Sequence, residues 1–179
     1  MILYWTIFLI PAVLALAGVR LDKASWFIVG LLYSIIIGFR YSVGGDFWSY
    51  WRRVPEYGEK PFWSVATGGD PGYGVLNWIA YALDTNVGFV NLICAIIFMS
   101  GLIRFVRSTP DPMLAFVASI PYLVIIVSMG YTRQAAAIGV LLWGMAGLEK
   151  KGPFTFFFYI LFASLFHKTA VLFAGFTLL

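Results

Sequence analysis

Long apolar runs alternate with short polar connectors along the chain. Most of the runs are close to the ~17–25 residues with which a helix crosses the hydrocarbon core of a bilayer. In lipid the backbone must satisfy its own hydrogen bonds, which a helix does within one segment. The pattern therefore predicts an all-α, polytopic membrane protein, a single transmembrane domain over residues 1–179 with about six transmembrane helices. The predicted spans are residues 2–19, 25–39, 87–105, 113–129, 133–148 and 154–179.

The first run shares one feature with secretory signal peptides, the small residues Ala15 and Ala17 near its end. Signal peptides begin with a positively charged region, and no basic residue precedes this run. We therefore expect a retained helix rather than a cleaved leader.

Residues 40–86 interrupt the pattern of apolar runs. Residues 40–70 are rich in charged side chains, Gly and Trp, which predicts a structured, functional loop rather than a linker. The apolar run at residues 72–83 is only about 12 residues long, too short to cross a bilayer comfortably. It also contains Asn77. We predict a re-entrant or interfacial half-helix within one long extracytoplasmic loop.

Composition supports lipid as the solvent of this chain. Apolar residues make up 61% of the 179 positions and charged residues 11%, and the mean hydropathy is +0.90. A water-soluble domain of this size could not bury so much apolar surface. The Lys and Arg residues behind the formal charge of +4 lie in the connectors, where they first indicate topology. We expect no nucleic-acid partner.

Nothing in the sequence signals a cofactor. Cys94 is the only cysteine, so neither a disulfide within the chain nor a thiolate cluster can form. The sequence has no Walker, dinucleotide-binding, HExxH or CxxC motif. Asp46 and Asp70 could hold magnesium together with a substrate phosphate, yet no motif indicates such a site. We predict no cofactor and no metal site.

The basic connectors predict the orientation. If residues 72–83 do not cross the membrane, three basic connectors face the same side, which the positive-inside rule makes cytoplasmic. They carry Arg20 and Lys23, Arg104 and Arg107, and Lys150 and Lys151. If that segment crosses, the last two connectors move to the other side, so we prefer the first arrangement. It places the N-terminus and residues 40–86 outside the cytoplasm.

The same arrangement gathers other ionisable residues on the extracytoplasmic face. Ionisable groups near membrane depth are costly unless they meet a partner or a water-filled cavity, so they are candidates for function. They are Arg40, Asp46, Arg52, Arg53, Asp70, Arg133 and His167.

Each candidate has a structural and a functional interpretation. Arg40 could anchor a helix end by snorkelling, and Asp46 could form a turn or a helix cap. Arg133 could be a charge at a loop tip, or its planar fork could bind phosphate with two hydrogen bonds. His167 could be an interfacial residue or exchange a proton near neutral pH. Tyr50 and nearby Trp residues could stack on sugars or lie at the lipid interface.

Four ordered motifs carry a resemblance to a known family. They are Arg40-Tyr-Ser-Val-Gly-Gly-Asp46 followed by Tyr50, Asp70-Pro-Gly-Tyr73 with Leu76-Asn77, Arg133-Gln134 at a helix start, and Phe166-His167-Lys-Thr-Ala170. In this order and spacing they resemble the EpsG family of polysaccharide polymerases, multispanning proteins related to Wzy-type O-antigen polymerases. Members of that family are longer, and this sequence ends inside an apolar run, so we expect it to be an N-terminal portion.

The resemblance implies a glycosyltransferase-type polysaccharide polymerase. A glycan on a polyprenyl-pyrophosphate carrier would be transferred to the non-reducing sugar of another lipid-linked repeat unit. The reaction would take place at the outer face of the bacterial cytoplasmic membrane. The implied partners are the lipid-linked oligosaccharide, the lipid bilayer and other membrane proteins of polysaccharide assembly.

The resemblance also implies roles for the motif residues. Arg133 and Arg40 would stabilise the charge that develops on the leaving pyrophosphate. Asp46 or His167 would accept the proton of the attacking hydroxyl, with Asp46 placed first. The implied catalytic residues are thus Asp46, Arg133 and His167. The implied substrate-binding residues are Arg40, Tyr50, Arg52, Asp70, Tyr73, Asn77 and Gln134.

Two other classes of function stay open at this point. A transporter or flippase for a lipid-linked or anionic substrate would also carry charges near the membrane, but such folds often show internal repeats, and this sequence shows none. A non-catalytic accessory subunit would pack through its helices, with close contacts at Gly139, Gly144 and Gly147. Charges gathered on one face favour catalysis at a fixed site.

Overall fold

A computed structural model describes residues 2–177, without the side chains of residues 149, 151, 176 and 177. Every regular element in this range is helical, which confirms the prediction of an all-α fold. A π-helix spans Ile120–Ser128, and a 3₁₀-helix spans Lys168–Thr177. The α-helices are α1 (Ile2–Leu16), α2 (Lys23–Gly38), α3 (Phe47–Gly58), α4 (Phe62–Ala66), α5 (Pro71–Ala82), α6 (Val87–Val106), α7 (Pro112–Ser119), α8 (Thr132–Met145) and α9 (Leu148–Ser164).

α6 is the central helix, because two apolar cores pack against it. One core joins α6 to α1, α2 and α7, with Phe98 and Phe116 buried inside it. The other joins α6 to α3, α5, α8 and α9, around the buried Tyr73 and Val90. A helix covered on both sides can be apolar all round, as α6 is.

α6 and α8 run parallel and approach each other through two glycines. Asn91 near the start of α6 accepts a hydrogen bond from Thr132 at the start of α8. A Cβ atom on Gly101 would lie 1.9 Å from the carbonyl oxygen of Gly139, so only glycine permits this approach. The parallel register places the N-termini of both helices at the same end of the bundle.

Residues 40–70 are more ordered than the predicted loop, because they contain α3 and α4. α3 forms where Phe47, Tyr50 and Val54 recur at helical spacing and are buried together. These two helices were not predicted; α3 forms because its amphipathic spacing outweighs the flanking Gly and charged residues, and the extracytoplasmic position of residues 40–86 stays a prediction. The predicted half-helix at residues 72–83 corresponds to α5, which begins at Pro71, where a missing N–H is tolerated.

The predicted span at residues 154–179 is wrong as one continuous helix. α9 ends at Ser164, where the carbonyl of Leu165 accepts a hydrogen bond from the N–H of Gly72 at 2.8 Å. The N–H of Lys168 donates to Asp70 at 3.2 Å. A continuing helix would need both backbone groups for its own hydrogen bonds, so contact with the start of α5 ends α9. Residues 178 and 179 of the predicted span lie outside the described residues.

The other boundaries shift for local reasons. α1 stops at Leu16 rather than at residue 19, because Gly18 (φ 68°) adopts the left-handed conformation that closes helix ends. The run predicted at residues 113–129 starts as α7 and continues as a π-helix, in which Pro121 supplies no N–H to an α-helical ladder. The bounds of α2, α6 and α8 lie within three residues of the predicted ones.

Within the described range, Val87–Val106 is the one helix both long and apolar enough to cross a membrane. Shorter apolar helices of 10–17 residues accompany it. They are Ile2–Leu16, Lys23–Gly38, Pro112–Ser128 and Gly152–Ser164. The number of about six transmembrane helices therefore stays a prediction.

Candidate functional site

Several helix ends meet at one end of the bundle, which we call the Arg133 end. They are the C-terminal ends of α2 and α9 and the N-terminal ends of α5, α6 and α8. At the other end, the basic end, Lys23, Arg104 and Arg107 line one groove. These three basic residues thus lie at the end of the bundle opposite Arg133, and the side of a membrane that each end faces stays a prediction.

Asp70 joins three separate segments of the chain at the Arg133 end. Its Oδ2 accepts a hydrogen bond from Nη1 of Arg133 at 2.5 Å, and its Oδ1 accepts one from the backbone N–H of Lys168 at 3.2 Å. Nδ1 of His167 lies 4.0 Å from the same Oδ1. The side chains of Asp70 and Arg133 are 11% and 24% exposed, so water screens their attraction only in part.

Two tyrosine rings form the wall beside this ion pair. Cζ of Arg133 lies 6.0 Å from the ring centre of Tyr50 and 5.8 Å from that of Tyr73, near the outer limit for cation–π attraction. Burial raises the pKa of both phenols, and the nearby Arg133 offsets part of the rise at Tyr50. Both hydroxyls therefore stay protonated at neutral pH. We call Tyr50, Asp70, Tyr73, Arg133 and His167 the Arg133 cluster.

A second polar chain lies beside the cluster. Nη2 of Arg40 donates to Oγ1 of Thr132 at 2.6 Å, and this hydroxyl donates to Oδ1 of Asn91 at 3.0 Å. Nη1 of Arg40 donates to the carbonyl of Ile37 at 2.7 Å. Because Thr132 precedes Arg133 and opens α8, this chain fixes the helix end that carries Arg133. We call Arg40, Asn91 and Thr132 the Arg40 network.

Gly44 brings the segment after α2 against the turn before α8. It has a left-handed φ of 90°, and a Cβ atom there would lie 2.8 Å from Cα of Gly130 and 2.8 Å from the carbonyl oxygen of Met129. Only glycine meets both conditions without strain. Gly44 therefore serves backbone packing next to the site.

Buried polar atoms without a hydrogen-bond partner, within the described part of the chain, gather at the Arg133 end. They are Nε of Arg40, the hydroxyl of Tyr73, Oδ1 of Asn77, Nδ2 of Asn91, Nε of Arg133 and Nδ1 of His167. Buried polar groups are almost always paired, so each one needs an explanation. Such a set of donors and acceptors suits a polar ligand bearing phosphate and hydroxyl groups.

His167 lies in irregular backbone after α9, with its side chain 24% exposed. Burial lowers the pKa of its imidazole, while the neighbouring Asp70 raises it in part. The lowered pKa keeps the imidazole neutral near pH 7, so it can accept a proton.

The structure does not bring every predicted site residue into the cluster. Arg52 and Gln134 are exposed, and no hydrogen bond or ion pair among the described residues joins either one to it. Asp46 precedes α3 and makes no side-chain capping bond. Asn77 is buried in α5, where its Nδ2 donates to the carbonyl of Tyr73 at 2.8 Å.

The structure adds Asn91 and Thr132 to the predicted site residues, and it gives a contact to Arg53, which the sequence analysis listed as a candidate without a role. Arg53 rather than Arg52 approaches the ring of Tyr50, at 5.9 Å from Cζ to the ring centre. Thr132 and Asn91 are almost completely buried polar residues. The available signal was a lone Asn in an apolar run, since a buried amide needs partners.

Among the described side chains, no group of three or more His, Cys, Asp and Glu residues is placed to hold a metal ion. The polar atoms of the Arg133 end are instead mainly cationic or neutral donors. This donor set fits an anionic ligand directly.

Comparison with known families decides the classification. The family model described as the EpsG family matches residues 23–179. The chain belongs to the EpsG family. Membership supports a role in polysaccharide biosynthesis, a polymerase-type function and association with a membrane. We found no curated protein and no solved structure that matches this EpsG-family chain.

Replacing Thr132 by Val tests the Arg40 network of this EpsG-family protein. The variant leaves Arg40 and Asn91 without their shared hydroxyl, and an unpaired buried polar group costs about 1–3 kcal/mol. We expect a lower thermal denaturation midpoint of the detergent-purified protein. Thr6→Val is the matched control, because the exposed Thr6 hydroxyl donates to the carbonyl of Ile2 in its own helix. Equal shifts in the two variants would contradict the network.

Proposed function

We propose that this protein is a polysaccharide polymerase of the bacterial cytoplasmic membrane. It transfers a glycan from a polyprenyl-pyrophosphate carrier to the non-reducing sugar of a second lipid-linked repeat unit. The observation that carries the proposal is the Arg133 cluster, in which Asp70, Arg133 and His167 converge from distant positions in an EpsG-family chain. A cation for phosphate and a base for a hydroxyl are the two groups that this transfer needs.

The proposed orientation places the Arg133 end outside the cytoplasm. About six helices cross the bilayer in this arrangement, and the N-terminus is extracytoplasmic. Lys23, Arg104 and Arg107 lie together at the opposite end, which supports a cytoplasmic basic end under the positive-inside rule. Lipid-linked repeat units would then reach the cluster from the outer leaflet.

Arg133 binds the pyrophosphate in this proposal. As the bond from the anomeric carbon to the pyrophosphate oxygen breaks, its electron pair stays on that oxygen and negative charge develops there. A guanidinium already fixed in place stabilises this charge without reorganising. Asp70 holds Arg133 through Nη1, and the Arg133 side chain is still 24% exposed, which leaves part of the guanidinium accessible to the phosphate. Asp70 is thus a positioning residue in addition to its predicted contact with substrate.

His167 is the proposed base. The hydroxyl of the acceptor sugar attacks the anomeric carbon, and its proton passes to the neutral imidazole. The sequence placed Asp46 first, but His167 lies beside Asp70 and in the same cluster as Arg133, whereas Asp46 has no side-chain contact to the cluster among the described bonds. Proximity to the phosphate-binding cation therefore favours His167.

The remaining residues shape the sugar and phosphate sites. Tyr50 and Tyr73 are buried beside Arg133, where their rings and protonated hydroxyls hold the guanidinium in position. Arg40 adds a second cation close to the start of α8. The exposed Arg52 and Gln134 would contact substrate away from the cluster.

Replacing Arg133 by Ala tests the proposal in a strain that lacks the native gene and carries the complete gene with the change. We expect single lipid-linked repeat units to accumulate and long chains to be lost, because one such electrostatic contact is worth about 10²–10³ in rate. Arg133→Lys keeps the charge without the planar fork and should retain only a small part of the activity.

Arg20→Ala is the matched control, because Arg20 is exposed and lies in the connector before α2. It should leave chain length unchanged. Long chains made by Arg133→Ala would reject the catalytic role and favour a transporter or an accessory subunit.

The pH dependence of polymerisation tests His167. Burial lowers the pKa of this imidazole below its ordinary value of about 6.5. Polymerisation by isolated membranes should therefore be constant near pH 7 and fall as the pH drops through that lowered pKa, when the base becomes protonated. His167→Gln should reduce the rate about 10²–10⁴-fold, and the rate that remains should no longer fall at acidic pH. If the rate of His167→Gln still fell at acidic pH, another group would be the base, and Asp46→Asn would be the next variant to measure.

A further inference from the structure

A long groove opens between α2, α6 and α8 at the basic end, far from the Arg133 cluster. Its volume is about 740 Å³, which lies within the range of about 300–1,000 Å³ typical of ligand pockets. Its walls are mainly apolar side chains of α2 and α6. They include Trp26, Phe27, Leu31, Ile96, Met99 and Ile103.

Three cations stand at the mouth of this groove. Lys23, Arg104 and Arg107 are exposed, and among the described side chains none of them has a carboxylate within ion-pair distance. Cζ of Arg104 lies 5.0 Å from the ring centre of Trp143, also a lining residue. This cation–π contact fixes the guanidinium at the rim while its N–H edge can bind an anion.

Charge and apolar surface follow one another along the groove. α2 and α6 run antiparallel, because Gly30 of α2 contacts Ile103 of α6 and Gly38 contacts Leu92. From the mouth inward, α2 therefore presents Lys23 and then apolar side chains. The other wall presents Arg107 after α6, then Arg104 in α6 and then apolar side chains. Both walls of the groove are therefore cationic at the mouth and apolar further in.

The hydroxyl groups in the groove do not make the walls strongly polar. The hydroxyl of Ser100 donates to the carbonyl of Ile97 at 2.8 Å, and that of Ser108 donates to the carbonyl of Phe105 at 2.6 Å. The hydroxyl of Ser34 donates to the carbonyl of Ala95 at 3.4 Å. With their protons used inside the protein, the hydroxyls of these serines can only accept hydrogen bonds.

We infer that this groove binds an anionic phospholipid. Its phosphate headgroup lies at Lys23, Arg104 and Arg107, and one acyl chain lies along the apolar walls of α2 and α6. A free inorganic anion would not use the apolar walls, and a neutral lipid would leave the three cations without a partner. Basic pockets between helices on the cytoplasmic side commonly bind anionic headgroups.

The inference rests on the proposed membrane orientation, which places the basic end at the cytoplasmic leaflet. It does not depend on the proposed chemistry at the Arg133 cluster. The anionic lipid would act as an anchor that fixes α2 against α6 and α8, the helices whose opposite ends carry the Arg40 network. The bound lipid would therefore be a structural ligand rather than the substrate.

Native mass spectrometry of the detergent-purified, complete protein tests the inference. Phosphatidylglycerol and phosphatidylcholine with the same acyl chains are titrated separately, together with glycerol 1-phosphate as a headgroup without chains. We expect phosphatidylglycerol to bind at least about tenfold more tightly than phosphatidylcholine, because three cations attract the anionic headgroup. Glycerol 1-phosphate should not be retained.

Variants separate a specific groove from general attraction. Lys23→Gln/Arg104→Gln/Arg107→Gln should weaken phosphatidylglycerol binding at least about tenfold, and Leu31→Trp should weaken it by filling the groove with all charges intact. Lys150→Gln, an exposed basic-end connector residue that does not line the groove, is the matched control and should bind normally. Single Arg107→Gln replaces the triple variant if the latter does not fold.

Three binding results would overturn the inference. They are equal binding of the two phospholipids, normal binding by Leu31→Trp, and equal losses in Lys150→Gln and the mouth variants. Arg133→Ala should bind phosphatidylglycerol normally even though it makes no polymer. A failure of the lipid site is therefore distinguishable from a failure of the polymerase proposal. If a second copy of the chain occupied the groove in place of lipid, the same spectra would show a protein dimer. This result would also contradict the inference.

Discussion

The carboxylate of Asp70 is the interaction on which the candidate site depends. It holds the start of α8 through Arg133 and the segment after α9 through the N–H of Lys168, with His167 alongside. A partly buried charge is costly without partners, so these contacts are mutually required. The same contacts end α9 and thereby give His167 an irregular backbone beside the cation. Fold and proposed chemistry are thus fixed by one side chain.

Packing of α6 against α8 links the two ends of the bundle. The two glycines of α6 and α8 let their backbones touch, so these parallel helices present Asn91 and Thr132 at the Arg133 end and Arg104 at the basic end. The distance along α6 between Asn91 and Arg104 is about 20 Å. Cationic groups thus lie near both ends: Arg133 is paired with Asp70 at one end, whereas at the other no described carboxylate pairs with Lys23, Arg104 or Arg107. This asymmetry suits a protein with a catalytic face and a lipid-anchoring face.

Apolar periodicity was enough to predict the all-α fold and the bounds of α2, α6 and α8. It could not predict the break after Ser164, because that break depends on hydrogen bonds with α5, which is distant in sequence. Motif order identified Asp70, Arg133 and His167 as candidates, but only packing shows that Asp70 pairs with Arg133. Local sequence does not specify which side chain of a helix faces a distant partner. That is why the sequence assigned the substrate contact to Arg52, whereas Arg53 is the residue that approaches Tyr50.

Cysteine cross-linking tests most directly whether α5 and the segment after α9 meet. A Cβ atom on Gly72 would lie 3.2 Å from Cβ of Leu165, close to the separation of about 3.5–4.5 Å found in disulfides. In a Cys94→Ala background, Gly72→Cys/Leu165→Cys should form a disulfide on mild oxidation, whereas either single variant should not. A protease site placed between the two positions reveals the bond, because the fragments stay joined until reduction. Fragments that separate without reductant would contradict the convergence of Asp70, Arg133 and His167.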